Sequence, residues 1–264
     1  MKGIAEMKSL SVCIIAQNEE DRLPRLLPSI AGVADEVVVV DGGSTDRTQE
    51  IALAHGARVV YRAFTSHADQ KNFAASLAAN DWILLLDADE ELSEELKQSL
   101  FEWKIKPAEF EVYDMARLTW YIGAWIHHSR WYPDYQRRLY RRDKTGFRGA
   151  IHSGLEYAGR IGRLRGDLLH YTIRTVPEHE AKVEKYTTAI AQEMFDEGKR
   201  KWRAAMWVAT PWSWFRHFFL SGGFLDGYRG ALIAKMAARA VWLKYQKLGK
   251  LVEAERLARA SGAS

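Results

Sequence analysis

The sequence predicts an α/β fold in which an open, mostly parallel sheet is flanked by helices and followed by a helical C-terminal extension. Four short apolar segments rich in β-branched or aliphatic residues recur along the first hundred residues, and stretches of helical length separate them. This alternation is typical of right-handed βαβ units. The chain has 264 residues, 47% of them hydrophobic, which is enough for one large core.

The boundaries of the predicted elements follow from turn and capping residues. The predicted strands are residues 9–15, 36–40, 58–61 and 82–86. Ser44 or Thr45 is expected to cap a helix over residues 46–55 that ends at Gly56, because hydroxyl side chains favour helix N-termini and glycine favours C-termini. Ser93 is expected to cap another helix, in which two glutamates occupy the first turn and complement the helix dipole.

Polar residues follow three of the predicted strands. They are Gln17, Asn18 and Glu19 after the first strand, Asp41 after the second, and Asp87, Asp89 and Glu90 after the fourth. Ligands of open parallel sheets bind at the carboxyl ends of the strands, so these side chains are expected to share one crevice. The chain contains neither a dinucleotide-binding glycine fingerprint nor a P-loop.

The aspartates at these strand ends suit a divalent cation. Hard carboxylate ligands such as Asp87 and Asp89 are typical of Mg²⁺ or Mn²⁺, which retain waters and bridge to substrate phosphates. Two alternatives remain open: the Asp-x-Asp pair caps the next helix, or Asp41 shapes the glycine turn that follows it. In a binding role, the Asp41 carboxylate accepts a hydrogen bond from an imide N–H such as that of uracil.

Charge is distributed unevenly along the chain. Residues 1–100 carry a net charge of −8 and the remainder +12, so the second part is expected to meet an anionic partner. A single cysteine, Cys13, is typical of a reducing compartment, and no signal peptide is visible at the start of the sequence. These features predict a cytoplasmic protein.

The C-terminal third combines helical periodicity with aromatic and basic residues. Residues 178–199 predict an amphipathic helix with Val183, Tyr186, Ile190 and Met194 on one face. The tryptophan-rich segment that follows and the basic helix over residues 228–260 favour contact with a membrane surface over an ordinary core. The longest uncharged run in the tryptophan-rich segment has 12 residues, fewer than the roughly 20 that a spanning helix needs. Nucleic acid is disfavoured because no nucleic-acid-binding signature occurs.

Several segments together resemble the inverting family 2 glycosyltransferases of GT-A fold. The segments are 11–20 (SVCIIAQNEE), 37–46 (VVVVDGGSTD), 70–72 (QKN) and 86–90 (LDADE). Later segments resemble the branch that adds β-glucose to the lipopolysaccharide core, namely 131–140 (WYPDYQRRLY), the region of His152, 169–171 (LHY) and 223–227 (GFLDG).

The resemblance implies a donor, a cofactor, an acceptor and a domain organisation. It implies transfer from UDP-glucose or a related UDP-sugar, with Mg²⁺ or Mn²⁺, to a hydroxyl of a lipid-anchored glycan. A GT-A catalytic domain is expected over residues 1–175, with a nucleotide-binding half over about 9–103 and an acceptor half over about 104–175. Residues 176–264 are expected to form a membrane- or acceptor-associated extension, which places the protein peripherally on the inner face of the cell membrane.

The resemblance also implies roles for individual residues. Gln17, Asn18, Glu19 and Asp41 are expected to line the uridine pocket, and Lys71 and Asn72 to lie near the nucleotide or its phosphates. Asp87 is expected near the ribose and the metal, Asp89 as a direct metal ligand, His152 in the metal sphere or at a phosphate, and Arg138 at the diphosphate. Lys71 also fits a second interpretation, as a solvated edge of the alanine-rich helix 68–79.

The general base is the residue for which the sequence departs from the family pattern. Family members often have Glu directly after the histidine that corresponds to His152, and here Ser153 takes that place. The candidates are therefore Asp134, Glu156 and Glu90. The same departure motivates an alternative, a non-catalytic protein that binds nucleotide sugar or membrane. A phosphatase of the haloacid-dehalogenase type is disfavoured because the Asp-x-Asp pair occurs only at the fourth strand.

Overall fold

A computed structural model describes residues 7–148 and 154–262 of the chain. Within these residues the chain forms two compact units. The first unit comprises residues 7–118, 134–148 and 154–171, and the second comprises residues 119–133 and 172–262. Residues 119–133, which the predicted catalytic domain includes, therefore pack within the second unit.

The described residues form eleven strands and seven α-helices. The strands are β1 (Leu10–Ala16), β2 (Glu36–Asp41), β3 (Arg58–Tyr61), β4 (Trp82–Asp87), β5 (Glu90–Leu92), β6 (Val112–Tyr121), β7 (Ala124–Ile126), β8 (Asp134–Arg141), β9 (Phe147–Arg148), β10 (Gly154–Leu155) and β11 (Gly162–Ile173). The helices are α1 (Leu23–Ser29), α2 (Thr48–Ala54), α3 (His67–Leu77), α4 (Glu94–Ile105), α5 (Val176–Asp196), α6 (Arg203–Phe215) and α7 (Gly227–Ser261). A π-helical turn (Arg216–Leu220) and a 3₁₀ turn (Gly223–Asp226) lie between α6 and α7.

The main sheet has the strand order β3-β2-β1-β4-β8-β6-β11-β5, with β7 paired to β6. Strands β3, β2, β1 and β4 are parallel, as the sequence predicts, and the α/β fold is confirmed. The pairs β4–β8, β6–β8 and β5–β11 are antiparallel, so the sheet is mixed rather than mostly parallel. No helix separates β6, β7 and β8 along the chain, and short connections of this kind join antiparallel strands.

Apolar side chains cover both faces of the parallel strands. Val12 and Ile14 of β1 pack in one core cluster of the first unit, whereas Cys13 and Val38 pack in a second cluster that also contains Ala74 of α3. Burial of both faces explains why these strands are continuous apolar runs in the sequence. It also fixes the register that brings the carboxyl ends of β1, β2 and β4 to the same edge.

One predicted helix cap is confirmed and one is wrong. The Ser93 side chain accepts a hydrogen bond from the Leu96 amide at 3.2 Å, as expected for the cap of α4. Helix α2 begins at Thr48 and its N-cap residue, Arg47, makes no side-chain cap. Asp46 instead accepts the Thr48 amide at 3.0 Å, and the Ser44 hydroxyl is used by Asp41, so neither Ser44 nor Thr45 reaches the helix.

Helices α5, α6 and α7 dominate the second unit. Helix α5 buries His179, Val183, Thr187 and Ala191, whereas Tyr186 is 56% exposed. The predicted apolar face is therefore wrong at Tyr186, and Ile190 and Met194 are only half-buried, because the fully packed residues follow a strict i, i+4 row that includes polar side chains. His179 is buried and shares a 2.8 Å hydrogen bond with the Tyr121 hydroxyl, which gives this polar position a partner.

Leu232, Ile233 and Met236 of α7 form a second-unit core cluster with Tyr121, Ile126 and Ile173. Among the described residues, no helix combines the length and the apolar character that a bilayer crossing requires.

Candidate active site

Tight loops after β1 and β2 interlock at the edge of the sheet. Asn18 has a left-handed backbone (φ 57°), and its side-chain oxygen accepts the Thr45 amide at 2.9 Å. Asp41 is fully buried and accepts the amides of Gly43 and Ser44, each at 3.0 Å. The Gln49 side chain donates to the same Asp41 oxygen at 2.9 Å. Asp41 therefore shapes the glycine turn, and a uracil imide has to displace one of these donors to bind it.

The other two residues predicted after β1 differ in their surroundings. Gln17 is exposed and lies against Gly42, where an added Cβ would approach its side chain to 3.3 Å. Glu19 pairs with Arg22 at 2.6 Å. Burial raises the pKa of Glu19, and the negative charges of Asp89 and Asp46 add to this effect against the opposing effect of Arg22. Glu19 thus contributes a negative charge close to Asp89.

Asp87, at the end of β4, is held by two buried cations. Lys71 Nζ lies 2.9 Å from Asp87 Oδ1, and an Arg138 guanidinium nitrogen lies 2.5 Å from Oδ2. Burial opposes the ionisation of Asp87, but Arg138 and then Lys71 outweigh it and hold the pKa of this carboxyl well below its usual range. The side chain of Lys71 is only 8% exposed, so Lys71 does not lie on a solvated helix edge.

The cation–carboxylate contacts continue beyond Asp87. Glu90, whose side chain is fully buried, accepts from Arg138 and from the Asp87 amide. Arg117 lies 3.8 Å from Glu90 and donates to Asp134 Oδ2, with its Nε at 3.0 Å. The six side chains form one chain of alternating charge, in the order Lys71, Asp87, Arg138, Glu90, Arg117 and Asp134. We call this set the charge chain.

The charge chain separates the candidate bases by accessibility. Glu90 has no exposed side-chain surface, so an incoming hydroxyl cannot reach it in this arrangement. The Asp134 side chain is 36% exposed and is oriented by Arg117 and by Gln136, whose amide donates at 2.8 Å. Glu156 is 64% exposed and pairs with Arg148 at 3.4 Å beside the paired strands β9 and β10. Asp134 is the candidate that is both accessible and joined to the charge chain.

Asp89 faces a histidine to which the sequence analysis assigns no role. His170 Nε2 on β11 lies 3.3 Å from Asp89 Oδ2, and the Tyr171 amide donates to the Asp89 carbonyl at 2.9 Å. Strand β11 pairs with β5 so that His170 lies opposite Glu90. The only sequence signal for His170 is the 169–171 segment of the family resemblance, because His170 lies 81 residues after Asp89 in the chain.

Asn72 and His152 are the other two residues that the sequence predicts in the site. The side-chain amide of Asn72 both donates to the Phe147 carbonyl and accepts the Phe147 amide, each at 2.8 Å. Asn72 therefore fastens β9 to α3, and its polar atoms are already used. His152, predicted in the metal sphere, lies outside the described residues, as does Ser153.

Asp89 and His170 fit a divalent cation that retains waters and substrate oxygens. Their side chains are 21% and 14% exposed, so solvent reaches the pair, and the buried His170 Nδ1 has no hydrogen-bond partner among the residues that the structure describes. A carboxylate and an imidazole leave most of the coordination sphere to water and phosphate, as Mg²⁺ and Mn²⁺ sites with nucleotides do. No cluster of three or more His, Cys, Asp or Glu ligands occurs in the described part of the chain. Asp87 is less suited, because both of its oxygens contact cations.

The fold and this cluster define an α/β enzyme whose charged site lies at the carboxyl ends of parallel strands. The family model described as glycosyl transferase family 2 matches residues 11–158, and the chain belongs to that family. It is therefore a glycosyltransferase.

Two curated relatives and one solved structure illustrate the similarity. An uncharacterized glycosyltransferase of Rickettsia typhi is 31% identical over 93% of this chain and 88% of its own. The lipopolysaccharide core biosynthesis glycosyltransferase LpsC of Rhizobium meliloti is 29% identical over 89% of this chain and 93% of its own. The crystal structure of residues 1–349 of TarS from S. aureus is 17% identical, with a TM-score of 0.48 over 95% of this chain and 92% of that chain.

Proposed function

We propose that this glycosyltransferase moves a sugar, glucose or a close relative, from a UDP-sugar to a hydroxyl of a lipid-anchored glycan such as the lipopolysaccharide core. The observation that carries the donor side is the Asp89–His170 pair beside two buried cations, Lys71 and Arg138. The name of the LpsC relative supports the acceptor class. The donor binds mainly at residues 9–103, to which Arg138 and His170 are added from the acceptor half over residues 104–175.

The charge chain suits the departure of a nucleoside diphosphate. When the bond between the sugar and the diphosphate breaks, negative charge grows on the departing phosphate oxygens, and fixed cations stabilise it. Lys71 and Arg138 supply two such cations without an ordering step, because Asp87 and Glu90 already hold them in place. A divalent cation bound by Asp89 and His170 would neutralise the diphosphate further when present.

The attacking hydroxyl has to lose a proton, and Asp134 is the group that we assign to accept it. The hydroxyl oxygen forms the new bond to the anomeric carbon from the face opposite the diphosphate, and its proton passes to a carboxylate oxygen of Asp134. Arg117 orients the Asp134 carboxylate through its contact with Oδ2. Glu90 stays buried against Arg138, so its role is to position that cation rather than to take the proton.

The extension over residues 176–264 is proposed to keep the enzyme at the inner face of the cell membrane, where a lipid-anchored acceptor is held. The basic and aromatic composition of this segment supports the assignment. Nucleic acid is not part of the proposal.

Metal-dependent binding of UDP tests the donor site. Ligand that binds only the native state raises the melting temperature, so UDP with Mn²⁺ is expected to stabilise the unaltered protein more than UDP alone. Asp89→Asn is expected to abolish the additional effect of Mn²⁺ and to remove donor hydrolysis. The matched control is Asp143→Asn, which changes an exposed carboxylate that pairs with Arg141; Arg141 lies opposite Trp82, at the end of β4 remote from Asp89. Full activity of Asp89→Asn would refute the assignment.

A further inference from the structure

The strongest feature outside the active site is a group of exposed apolar side chains on the second unit. Among the described residues, nineteen large hydrophobic side chains are exposed, and ten of them lie within residues 207–228. They are Trp207, Val208, Trp212, Trp214, Phe215, Phe219, Leu220, Phe224, Leu225 and Tyr228, and we call them the aromatic surface. Isolated exposed hydrophobics are ordinary, but a cluster of this kind marks an interaction site.

Helical spacing aligns part of the aromatic surface along one face. Val208, Trp212, Phe215 and Phe219 follow each other at intervals of four, three and four residues, and their exposed fractions are 71%, 53%, 41% and 48%. The opposite side of α6 buries Met206 and Ser213. The apolar stripe therefore faces outward, which is the reverse of a helix that packs its apolar face into a core.

The rings of the aromatic surface support one another. Trp212 stacks on Phe215 with ring centroids 5.9 Å apart, and Phe215 contacts Phe219 at 5.3 Å. Phe218 stacks on Trp214 at 5.1 Å and also contacts Phe224 of the 3₁₀ turn at 6.4 Å. The π-helical and 3₁₀ turns thus present an ordered apolar surface rather than a set of unrelated side chains.

The charge around the aromatic surface selects its partner. Residues 198–252 contain eleven Lys and Arg and one acidic residue, Asp226. The Asp226 side chain is 5% exposed and is occupied by the His128 ring nitrogen at 3.0 Å and the His128 amide at 3.1 Å. Glutamates on either side of this segment pair with five of its cations, which are Lys199, Arg200, Arg203, Arg239 and Lys247. The segment itself exposes apolar and cationic groups with almost no accessible carboxylate of its own. Arg203 and Arg216, at the two ends of α6, are both exposed.

We propose that the aromatic surface lies in the interface of an anionic lipid bilayer, with the flanking cations against the headgroups. Aromatic and aliphatic side chains insert at the boundary between headgroups and acyl chains, and Lys and Arg contact anionic headgroups. Helix α7 contributes its charges but not its apolar face, because Leu232 and Met236 are buried in the core of the second unit. This inference deepens the proposed function by naming the surface that meets the membrane.

Co-sedimentation of the full chain with vesicles tests the proposal. The unaltered protein is expected to bind phosphatidylcholine vesicles that contain phosphatidylglycerol at least tenfold more tightly than pure phosphatidylcholine vesicles. Binding is expected to weaken when salt rises from about 0.1 M to about 0.5 M, because screening reduces the attraction between cations and headgroups.

A pair of matched double variants locates the contact. Val208→Glu with Leu225→Glu changes side chains that are 71% and 62% exposed, and it is expected to weaken partition onto anionic vesicles about tenfold or more. Leu257→Glu with Leu53→Glu changes side chains that are 71% and 60% exposed but lie outside the aromatic surface. Both double variants add two glutamates, so they are matched in charge. The control variant is expected to bind within about twofold of the unaltered protein.

Three outcomes would overturn the proposal. These are no vesicle binding by the unaltered protein, equal loss in both double variants, or size exclusion that shows a dimer converted to a monomer by Val208→Glu with Leu225→Glu. The last result would assign the surface to a second copy of the chain. Vesicle binding does not depend on catalysis. A protein that binds anionic vesicles but transfers no sugar would therefore refute the proposed function and leave the membrane proposal standing. A far-UV circular dichroism spectrum and a urea unfolding midpoint that match those of the unaltered protein confirm that the fold of the double variant is intact.

Discussion

Replacement of Arg138 by methionine tests whether the charge chain is held together as a buried ionic network. The Arg138 side chain is 4% exposed and contacts both Asp87 and the fully buried Glu90. Removal of one partner from a buried ion pair costs about 3–5 kcal/mol, because the remaining charge is left without compensation. Asp87 keeps Lys71 at 2.9 Å, so most of this loss falls on Glu90.

The pH dependence of the loss identifies Glu90 as its source. Burial raises the pKa of Glu90 despite the arginines, and removal of Arg138 raises it further. When the pKa of a carboxyl is higher in the folded state than in the unfolded state, the folded state loses stability as pH rises from the lower of the two pKa values to the higher. The destabilisation by Arg138→Met is therefore expected to be smaller at pH 5 than at pH 7.

Urea unfolding at pH 5 and pH 7 measures both quantities. Arg138→Met combined with Glu90→Gln is expected to recover about 2 kcal/mol of the loss at pH 7, because the uncompensated charge is gone. Arg165→Met is the control, since Arg165 is 69% exposed and its pair with Glu102 is worth less than about 1 kcal/mol. A loss below about 1 kcal/mol for Arg138→Met, or an equal loss at both pH values, would show that the network is not a coupled buried unit.

Three further predictions concern the base, a buried histidine and a close backbone approach. Arg117→Gln is expected to lower kcat tenfold or more and leave the donor KM unchanged, because Asp134 loses the guanidinium that orients it; an unchanged kcat would exclude Asp134 as a base that Arg117 positions. Burial lowers the pKa of His179 to about 4, so stability is expected to fall by roughly 2–3 kcal/mol as pH drops from about 6.5 to 4, and His179→Gln should flatten that profile in urea titrations. Gly166 has φ +85°, and an added Cβ would lie 2.2 Å from the Leu96 amide nitrogen, so Gly166→Ala is expected to destabilise by more than about 2 kcal/mol, whereas Gly198→Ala, at φ +80° with open space, should cost less.

The nucleotide-binding half of the fold is predictable because its signals are local. The strands β2, β3 and β4 begin where the apolar runs begin, and the Ser93 cap depends on residues three positions apart. The antiparallel part of the sheet is less predictable. Strand β5 is only three residues long, and it exists because β11 pairs with it from almost eighty residues away. Pairing at that separation leaves no periodic signal in either segment.

The candidate site likewise contains residues that the sequence predicts and residues that it does not. The residues after β1, β2 and β4 are identified from their positions, because parallel strands end at a common edge. Arg117 and His170 are missed, since their roles arise only when β6 and β11 join the sheet. Asn72 is a residue that the sequence predicts in the site but that has a structural role. A polar residue beside Lys71 is equally consistent with a ligand contact and with a hydrogen bond that joins two elements of the fold. Only the position of Phe147 distinguishes the two.

The charge chain also bears on which anions the site attracts. Its three cations are matched by three carboxylates at close range, so the cluster is close to electroneutral before any substrate arrives. A free phosphate or sulfate meets as much repulsion as attraction there. Under the proposed function, a nucleotide that carries its own divalent cation adds less net negative charge to this cluster than a free phosphate does. The near-neutral cluster therefore favours the metal-bound nucleotide over simple anions.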